Sequence, residues 1–198
     1  MWSAGPVDAG GWDRRYAESD LVWSSGPNIF VVEELDAVAP GRALDLACGE
    51  GRNALWLAGL GWDVTGLDFS AVALERARSL AADRGLAVSW HRQDLISWDA
   101  DDAADLVLLA YVHLLPAERH RLVQAARRAV APGGRLLLVG HDLRNLTDGT
   151  GGPQEPSLLW QPSELPAEGW DVVRSETAAR PVGELTAWDT VVHLLRPA

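Results

Sequence analysis

Three aspartates and a short glycine-containing stretch are the residues of this sequence whose types and spacing could bind a charged organic ligand. Asp45 precedes the stretch Ala47–Gly51, Asp68 follows it at the end of an apolar run, and Asp94 ends a later run. A carboxylate at a strand end can accept hydrogen bonds from both hydroxyls of a ribose. A carboxylate beside the loop attracts an ammonium group and repels a pyrophosphate. The pattern predicts a ligand with an amine and a ribose and without a pyrophosphate.

The segment DLACGEGRN, residues 45–53, joins an apolar strand to an apolar helix with very little side-chain bulk. Gly49 and Gly51, helped by Ala47 and Cys48, let the backbone turn and let a ligand approach it closely. The amides at the start of the following helix point to the same place. Asp94 could reach the exocyclic amine of an adenine, and the Leu95 amide could reach a ring nitrogen. Cys48 has no neighbouring base and is interpreted as a packing residue.

Short apolar runs alternate with amphipathic segments along the chain, which predicts alternating strands and helices. Helices are expected at residues 52–61, 70–85 and 116–131, with stops at Gly61, Gly85 and Pro132-Gly133-Gly134. Strands are expected at residues 43–47, 62–68, 88–94, 105–110, 135–141, 170–176 and 185–196.

This order predicts an α/β fold: a Rossmann-like, doubly wound and mostly parallel sheet of seven strands with helices on both faces. The last two strands have no helix between them, so they should form an antiparallel pair. Residues 142–169 are rich in Gly and Pro and are expected to form a mobile loop, with one short helix near residues 162–165 and with Trp160 as its anchor.

Composition narrows the classes of function. With 198 residues, a single domain is the simplest expectation. The net charge of -11 has no basic block, which disfavours a nucleic-acid partner and favours a small molecule. The absence of lysine excludes a P-loop and a Schiff-base lysine. One cysteine and no secretory signal favour the cytoplasm, and the most apolar run, residues 106–115, is too short to span a membrane.

With these residues, the sequence resembles the class I S-adenosylmethionine-dependent methyltransferases. The resemblance runs from Ala43 to Asp142, through ALDLACGEGRNALWLAGLGWDVTGLDFS, HRQDL, DLVLLAYVHLL and AARRAVAPGGRLLLVGHD. The loop and the amino-terminal WDRRYAESDLVWSSGPN are similar to small bacterial methyltransferases of the tellurite-resistance and thiopurine-methyltransferase type.

The resemblance implies S-adenosylmethionine as the cofactor and S-adenosylhomocysteine as the product. It implies that Asp45, Gly49 and Gly51 hold the methionine part, that Asp68 holds the ribose, and that Asp94 and Leu95 hold the adenine, with Gln93 included in this set. Further contacts are implied for Phe69 beside the adenine, the Ala110 carbonyl near the ammonium, and Tyr16 and Trp23 in an amino-terminal cap over residues 1–36. The first glycine of the family loop is Ala47 here, a small change if its φ is negative.

Methyl transfer is an in-line displacement, and a base is needed only if the acceptor carries a proton, as a phenol or alcohol does. Candidate bases are His113 and His141, and Tyr111 would line the methyl side with His113. His91, His120 and His193 are expected to be structural or solvated. No pattern of metal ligands is present in the sequence, so no metal site is expected.

Two alternatives remain open at this point. A nicotinamide-dependent oxidoreductase would need a GxGxxG loop, and Asp45 would repel its pyrophosphate. A non-catalytic S-adenosylmethionine-binding module would use the same pocket without turnover. The acceptor is expected to be a small molecule, residues 142–169 are the expected substrate loop, and the protein is expected to be a monomer or a homodimer.

Overall fold

The structure is a computed structural model that describes residues 26–100 and 103–198. Within these ranges the chain forms helices and strands in an alternating order. The helices are α1 (Ile29–Leu35), α2 (Arg52–Gly59), α3 (Ala71–Asp83), α4 (Pro116–Ala129) and α5 (Asn145–Asp148). The strands are β1 (Arg42–Leu46), β2 (Asp63–Asp68), β3 (Ser89–Arg92), β4 (Ala104–Ala110), β5 (Val130–His141), β6 (Asp171–Val182) and β7 (Leu185–Leu195).

All seven strands belong to one sheet with the order β3-β2-β1-β4-β5-β7-β6. The pairs from β3 to β5 are parallel, whereas β7 is antiparallel to both β5 and β6. The strand order reverses between β1 and β4, where a doubly wound sheet opens a crevice at its carboxyl edge. The predicted fold class is confirmed, and the crevice lies beside the loop that follows β1.

Apolar side chains cover both faces of the sheet. Phe30, Val31 and Leu35 of α1 and Leu57 of α2 belong to one buried cluster. The other cluster holds α4 and the segment after β3, with Leu122, Val123, Leu95 and Trp98 among its members. Burial of both faces explains why β1 and β4 are almost continuously apolar in sequence.

The end of α4 and the start of β5 differ from the expectation. Helix α4 ends at Ala129, and β5 already begins at Val130, where Val130 pairs with Ala104. Pro132-Gly133-Gly134 therefore lies within the strand segment. The Gly133 amide donates to the Arg196 carbonyl (3.0 Å) and the Arg196 amide donates to Gly134 (2.8 Å). These long-range bonds hold the segment in the sheet, and the register shift after Ala104 accommodates the irregular backbone at Gly133.

The segment between β5 and β6 contains more structure than the one short helix expected from sequence. It holds α5 and two 3-10 turns, Pro156–Leu158 and Pro162–Glu164. Trp160 is 1% exposed, donates from its amide to the His141 carbonyl (2.8 Å), and donates from Nε1 to the Val112 carbonyl (2.9 Å). The expected anchoring role of Trp160 is confirmed, and it holds this segment at the carboxyl edge of the sheet.

Candidate functional site

The loop after β1 bends because three of its residues adopt left-handed backbone conformations. Their φ angles are +58° at Ala47, +56° at Gly49 and +81° at Gly51. The Cys48 amide donates to the Leu67 carbonyl (3.0 Å), which fixes the loop against β2. Alanine would be a small change from the family glycine only at a negative φ. The φ of Ala47 is positive, so its Cβ is strained. Alanine in place of the family glycine is therefore a strained choice for the backbone at this position.

Asp45 lies near the carboxyl end of β1 and is almost fully buried, with 1% of its surface exposed. Neither carboxylate oxygen has a hydrogen-bond partner of normal geometry among the described residues. Burial raises the pKa of Asp45 to about 7, and the Ala54 amide and the Arg52 guanidinium only partly oppose this rise. A buried acid without a hydrogen-bond partner is costly, which suits a site that receives a cationic donor.

Asp68 is the second carboxylate at this edge, and it is 4% exposed. One oxygen accepts from the Gly49 amide (2.8 Å) and the other accepts from the Ser70 amide (2.8 Å). The side chain therefore joins the loop after β1 to the start of α3. The structure brings Asp45, Gly49 and Asp68 together as the sequence spacing predicted, and it gives Asp68 a structural task as well.

The residues expected at the adenine lie at the ends of β2 and β3. Phe69 is half-buried after β2, and Asp94 is exposed after β3. One Asp94 oxygen accepts from the Ile96 amide (2.9 Å), whereas the Gln93 side chain donates to the Asp94 carbonyl (3.0 Å). Leu95 is buried, 5% exposed. Because β2 and β3 are adjacent and parallel, these residues share one edge with Asp68.

Tyr111 follows Ala110, the last residue of β4, and has a φ of +58°. Such a conformation is rare for a bulky residue and must be held by its surroundings. Its amide donates to the Val139 carbonyl (2.7 Å), its hydroxyl donates to Asp189 (3.0 Å), and that hydroxyl accepts from Asn28 (2.8 Å). Burial, followed by the charge of Asp189, raises the pKa of Tyr111 well above its usual range. The hydroxyl is therefore a hydrogen-bond donor at neutral pH.

The three candidate catalytic side chains lie together. The ring centroids of Tyr111 and His141 are 4.6 Å apart, and those of His113 and His141 are 5.7 Å apart in a stacked arrangement. His113 and His141 are both buried. The Arg52 guanidinium lies 5.4 Å from the Tyr111 ring centroid. Tyr111 therefore contacts both Arg52, which follows the glycine loop, and His141.

Asp189 and Arg180 complete this cluster, and the sequence analysis missed both. Arg180 donates from Nε to Asp189 (2.6 Å), and His141 Nδ1 lies 3.4 Å from the other Asp189 oxygen. Burial raises the pKa of Asp189, but the His141 contact and the Arg180 pair outweigh it and leave the pKa below its usual value. A carboxylate inside the largely apolar run LTAWDTVVHLL was the signal that could have found Asp189.

The remaining histidines lie away from this cluster. His91 and His120 are exposed, whereas His193 is buried and its Nδ1 lies 2.8 Å from Glu34. These positions confirm the expectation of structural or solvated histidines. Cys48 is buried and packs beside Gly66, as a packing residue should. Within residues 26–100 and 103–198, no group of metal-ligating side chains could hold an ion.

Two expected cofactor contacts, Tyr16 and Trp23, lie outside the described residues. The structure describes the chain from Gly26 onward. Asn28 connects this part to the site, because its side-chain amide donates to the Tyr111 hydroxyl and its backbone amide donates to the Asn53 side chain (2.9 Å). None of the described helices has the length and apolar character needed to cross a bilayer.

Comparisons with known proteins identify the family of the chain. Residues 43–134 match the family model of a methyltransferase domain. A 2-heptyl-1-hydroxyquinolin-4(1H)-one methyltransferase of Mycobacteroides abscessus is 31% identical over 160 residues, which cover 76% of this chain and 68% of the relative. The residues that the family model matches include the glycine loop, β2 and the end of β4.

Solved structures show the same fold. The chain is similar to TehB from Haemophilus influenzae, with a TM-score of 0.74 and 18% identity over 93% of this chain and 66% of that one. It is also similar to the N-methyltransferase NodS from Bradyrhizobium japonicum in complex with S-adenosylhomocysteine, with a TM-score of 0.71 and 18% identity over 96% of this chain and 99% of that one. The chain belongs to the class I S-adenosylmethionine-dependent methyltransferases, as its loop sequence and strand-edge acids predict.

Proposed function

We propose that this protein transfers the methyl group of S-adenosylmethionine to a small-molecule acceptor that binds beside Tyr111, His113 and His141. The observation that carries the proposal is Asp45, a buried carboxylate without a hydrogen-bond partner among the described residues, next to a loop bent by left-handed residues. An ammonium group placed there would satisfy the carboxylate and favour its charged form. The arrangement suits an amino-acid nucleoside.

The cofactor contacts follow the strand ends. Asp45 would bind the ammonium with help from the Ala110 carbonyl, and Gly49 and Gly51 would allow close approach of the methionine part. Asp68 would bind the ribose, and the adenine would lie against Phe69, Gln93, Asp94 and Leu95. We extend the proposal to the segment before α1, in which Tyr16 and Trp23 would contact the cofactor.

The bound cofactor supplies an electrophilic methyl group, and the protein supplies position and shielding from water. Tyr111 is held rigidly by three hydrogen bonds, and His113 and His141 are buried beside it. These three side chains can hold an acceptor at the contact distance and angle that an in-line displacement requires. The segment 142–169, anchored by Trp160, is the proposed substrate loop.

The relative from Mycobacteroides abscessus is named for a hydroxyquinolone acceptor. An aromatic acceptor of similar size would suit the aromatic lining of Tyr111, His113 and His141 in this chain. We therefore place small aromatic molecules first among the acceptors to test.

The test combines cofactor binding with turnover. Calorimetry of S-adenosylmethionine binding is expected to show one site per chain, weakened at least about tenfold in Asp68→Asn because the ribose loses an ionic acceptor. Asp83→Asn, at the exposed end of α3, is the matched control and should bind as the wild type does.

Release of S-adenosylhomocysteine is then measured over a panel of phenols, thiols, amines and oxyanions. Turnover of any member supports the proposal. Tight cofactor binding with no release across the whole panel would instead favour a non-catalytic binding module, and binding of NAD alone would overturn both.

A further inference from the structure

The His141 and Asp189 side chains form a contact that the proposed function does not use. The two residues are direct partners across the antiparallel pair β5 and β7, and their side chains point to the same face. His141 Nδ1 lies 3.4 Å from one Asp189 oxygen, which is an ion-pair distance and not a hydrogen bond in this conformation, and both residues are buried. A carboxylate beside Nδ1 favours the tautomer in which Nδ1 carries the proton and Nε2 is free to accept one.

Asp189 is itself held firmly in its charged form. One of its oxygens accepts from the Tyr111 hydroxyl (3.0 Å) and from Arg180 Nε (2.6 Å). The other Asp189 oxygen faces His141, and Arg180 Nη2 lies 3.5 Å from that same oxygen. Arg180 and the Tyr111 donor offset most of the cost of burying the carboxylate. The carboxylate is therefore prepared to stabilise an imidazolium at His141.

Charged and titratable groups reach His141 from each neighbouring strand. Asp189 belongs to β7 and Arg180 to β6, whereas Tyr111 and His113 follow β4. The next residue, Asp142, turns away, because one of its oxygens accepts from the hydroxyls of Thr177 (2.8 Å) and Thr190 (2.6 Å). Among these described groups, Asp189 is the anion that contacts the His141 ring.

We propose that His141 is the general base for the methyl acceptor and that Asp189 is the positioning residue that orients the imidazole and stabilises its protonated form. The acceptor class is then a hydroxyl that must lose a proton, such as a phenol. This inference rests on the proposed function. A thiolate or an oxyanion that is already charged would need no such pair.

The step balances without a further reactant. The acceptor oxygen forms its bond to the methyl carbon while its own hydrogen passes to His141 Nε2. The electron pair of the carbon–sulfur bond remains on sulfur, which becomes a neutral thioether. His141 becomes an imidazolium beside Asp189, and its proton then passes to water when the products leave.

The lining of His141 supports this role. Its side chain is 10% exposed, and a Cβ at Gly152 would lie 2.8 Å from its Cγ atom. The substrate loop therefore approaches the imidazole through a residue without a side chain. Tyr111 does not compete for the acceptor proton, because its hydroxyl already donates to Asp189.

The experiment compares the wild type with Asp189→Asn, His141→Gln and the control Asp171→Asn, an exposed residue at the far end of β6. Substituted phenols whose pKa values span about 7 to 10 serve as acceptors, with an aromatic thiol as the acceptor that is ionised at the assay pH. Asp189→Asn is expected to lower kcat/KM about 100-fold for the least acidic phenol and less than about threefold for the thiol. Its pH–rate profile should lose activity at lower pH than the wild type, because an imidazole without the carboxylate is harder to protonate.

A second measurement does not depend on turnover. A nitrophenol bound with S-adenosylhomocysteine should ionise at lower pH on the wild type than in water, as absorbance reports, and less so on either variant. Equal losses for all acceptors, an unshifted pH profile and unchanged nitrophenol ionisation would overturn the inference. Turnover of thiols or oxyanions without any turnover of phenols would also overturn it while leaving the proposed function intact. Silence with every acceptor would remove the proposed function itself.

Discussion

His141 and Asp189 stand opposite each other on two antiparallel strands, 48 positions apart in sequence, and their side chains meet at the carboxyl edge of the sheet. This relationship joins the parallel half of the sheet, where we propose that the cofactor binds, to the C-terminal hairpin. The hairpin also contributes Arg180. The proposed acceptor side of the site therefore depends on β-strand register rather than on a local motif.

The Asp45 carboxylate is expected to make cofactor binding depend on pH. Burial raises its pKa to about 7, so the ligand-free protein gains a proton there as the pH falls through that value. A protonated carboxyl cannot pair with an ammonium, so the affinity for S-adenosylmethionine should fall between about pH 8 and about pH 6. Calorimetry in buffers with different ionisation enthalpies should detect proton release on binding near pH 6.

The matched variant is Asp45→Asn. It should bind about 10- to 100-fold more weakly at pH 8 and should lose the pH dependence and the proton release. The ligand-free variant should also be more stable than the wild type above pH 7, because the acid with a raised pKa destabilises the fold as the pH rises. Wild-type affinity in the variant would refute the assignment of the ammonium site.

The backbone at Ala47 leads to a prediction about stability. Its φ of +58° suits glycine, so Ala47→Gly should raise the free energy of unfolding by up to about 1 kcal/mol. The exposed helical control Ala82→Gly in α3 should lower it by about 0.5–1 kcal/mol. Urea denaturation measures both, and a loss of stability in both variants would show that Ala47 is not strained.

Gly152 is expected to be required for turnover. A Cβ at this position would meet the His141 ring at 2.8 Å, and its φ is +77°. Gly152→Ala should therefore lower kcat by at least about tenfold while leaving S-adenosylmethionine affinity within about twofold, because the displaced ring lies on the proposed acceptor side.

Gly169→Ala provides the control for backbone strain alone. Gly169 has a φ of +74°, and a Cβ there would contact nothing within 4 Å. If the two variants lose the same activity, the effect comes from backbone strain and the contact with His141 has no special role.

His193 and Glu34 are expected to make the fold sensitive to acid. Burial lowers the pKa of His193, and Glu34 only partly opposes it. A histidine whose pKa is lowered in the fold contributes stability above its unfolded value of about 6.5, and this contribution is lost as the pH falls below that value. Hydrogen bonds from His193 and Arg174 outweigh the effect of burial and lower the pKa of Glu34, which adds a second loss below about pH 4.5.

The urea midpoint measured between about pH 7.5 and about pH 5 tests this dependence. His193→Gln should flatten the decline, and the exposed control His120→Gln should leave it unchanged. A decline of the same slope in all three proteins would show that other groups cause it.

The parallel half of the sheet and the acids of the candidate site were predictable from local sequence. Each of these strands is a short apolar run, and each acid lies at the end of its strand. Asp45, Asp68 and Asp94 could be placed at one sheet edge from this pattern alone. The left-handed φ of Ala47 was not predictable, because an alanine at a turn is compatible with either sign of φ.

Asp189 and Arg180 could not be placed at the site from sequence for a different reason. Their positions depend on the register of β5, β7 and β6, which follows from packing and from the exact turn at Gly183. The start of β5 at Val130 likewise depends on bonds between Gly133, Gly134 and the distant Arg196. Local pattern cannot report such long-range pairing.

A crystal structure of the protein with S-adenosylhomocysteine tests the central claim most directly. We predict the amino-acid ammonium within about 3 Å of an Asp45 oxygen and the ribose hydroxyls at Asp68, with the sulfur facing Tyr111 and His141. A ligand bound at another edge of the sheet, or with its ammonium away from Asp45, would contradict the site assigned to this chain.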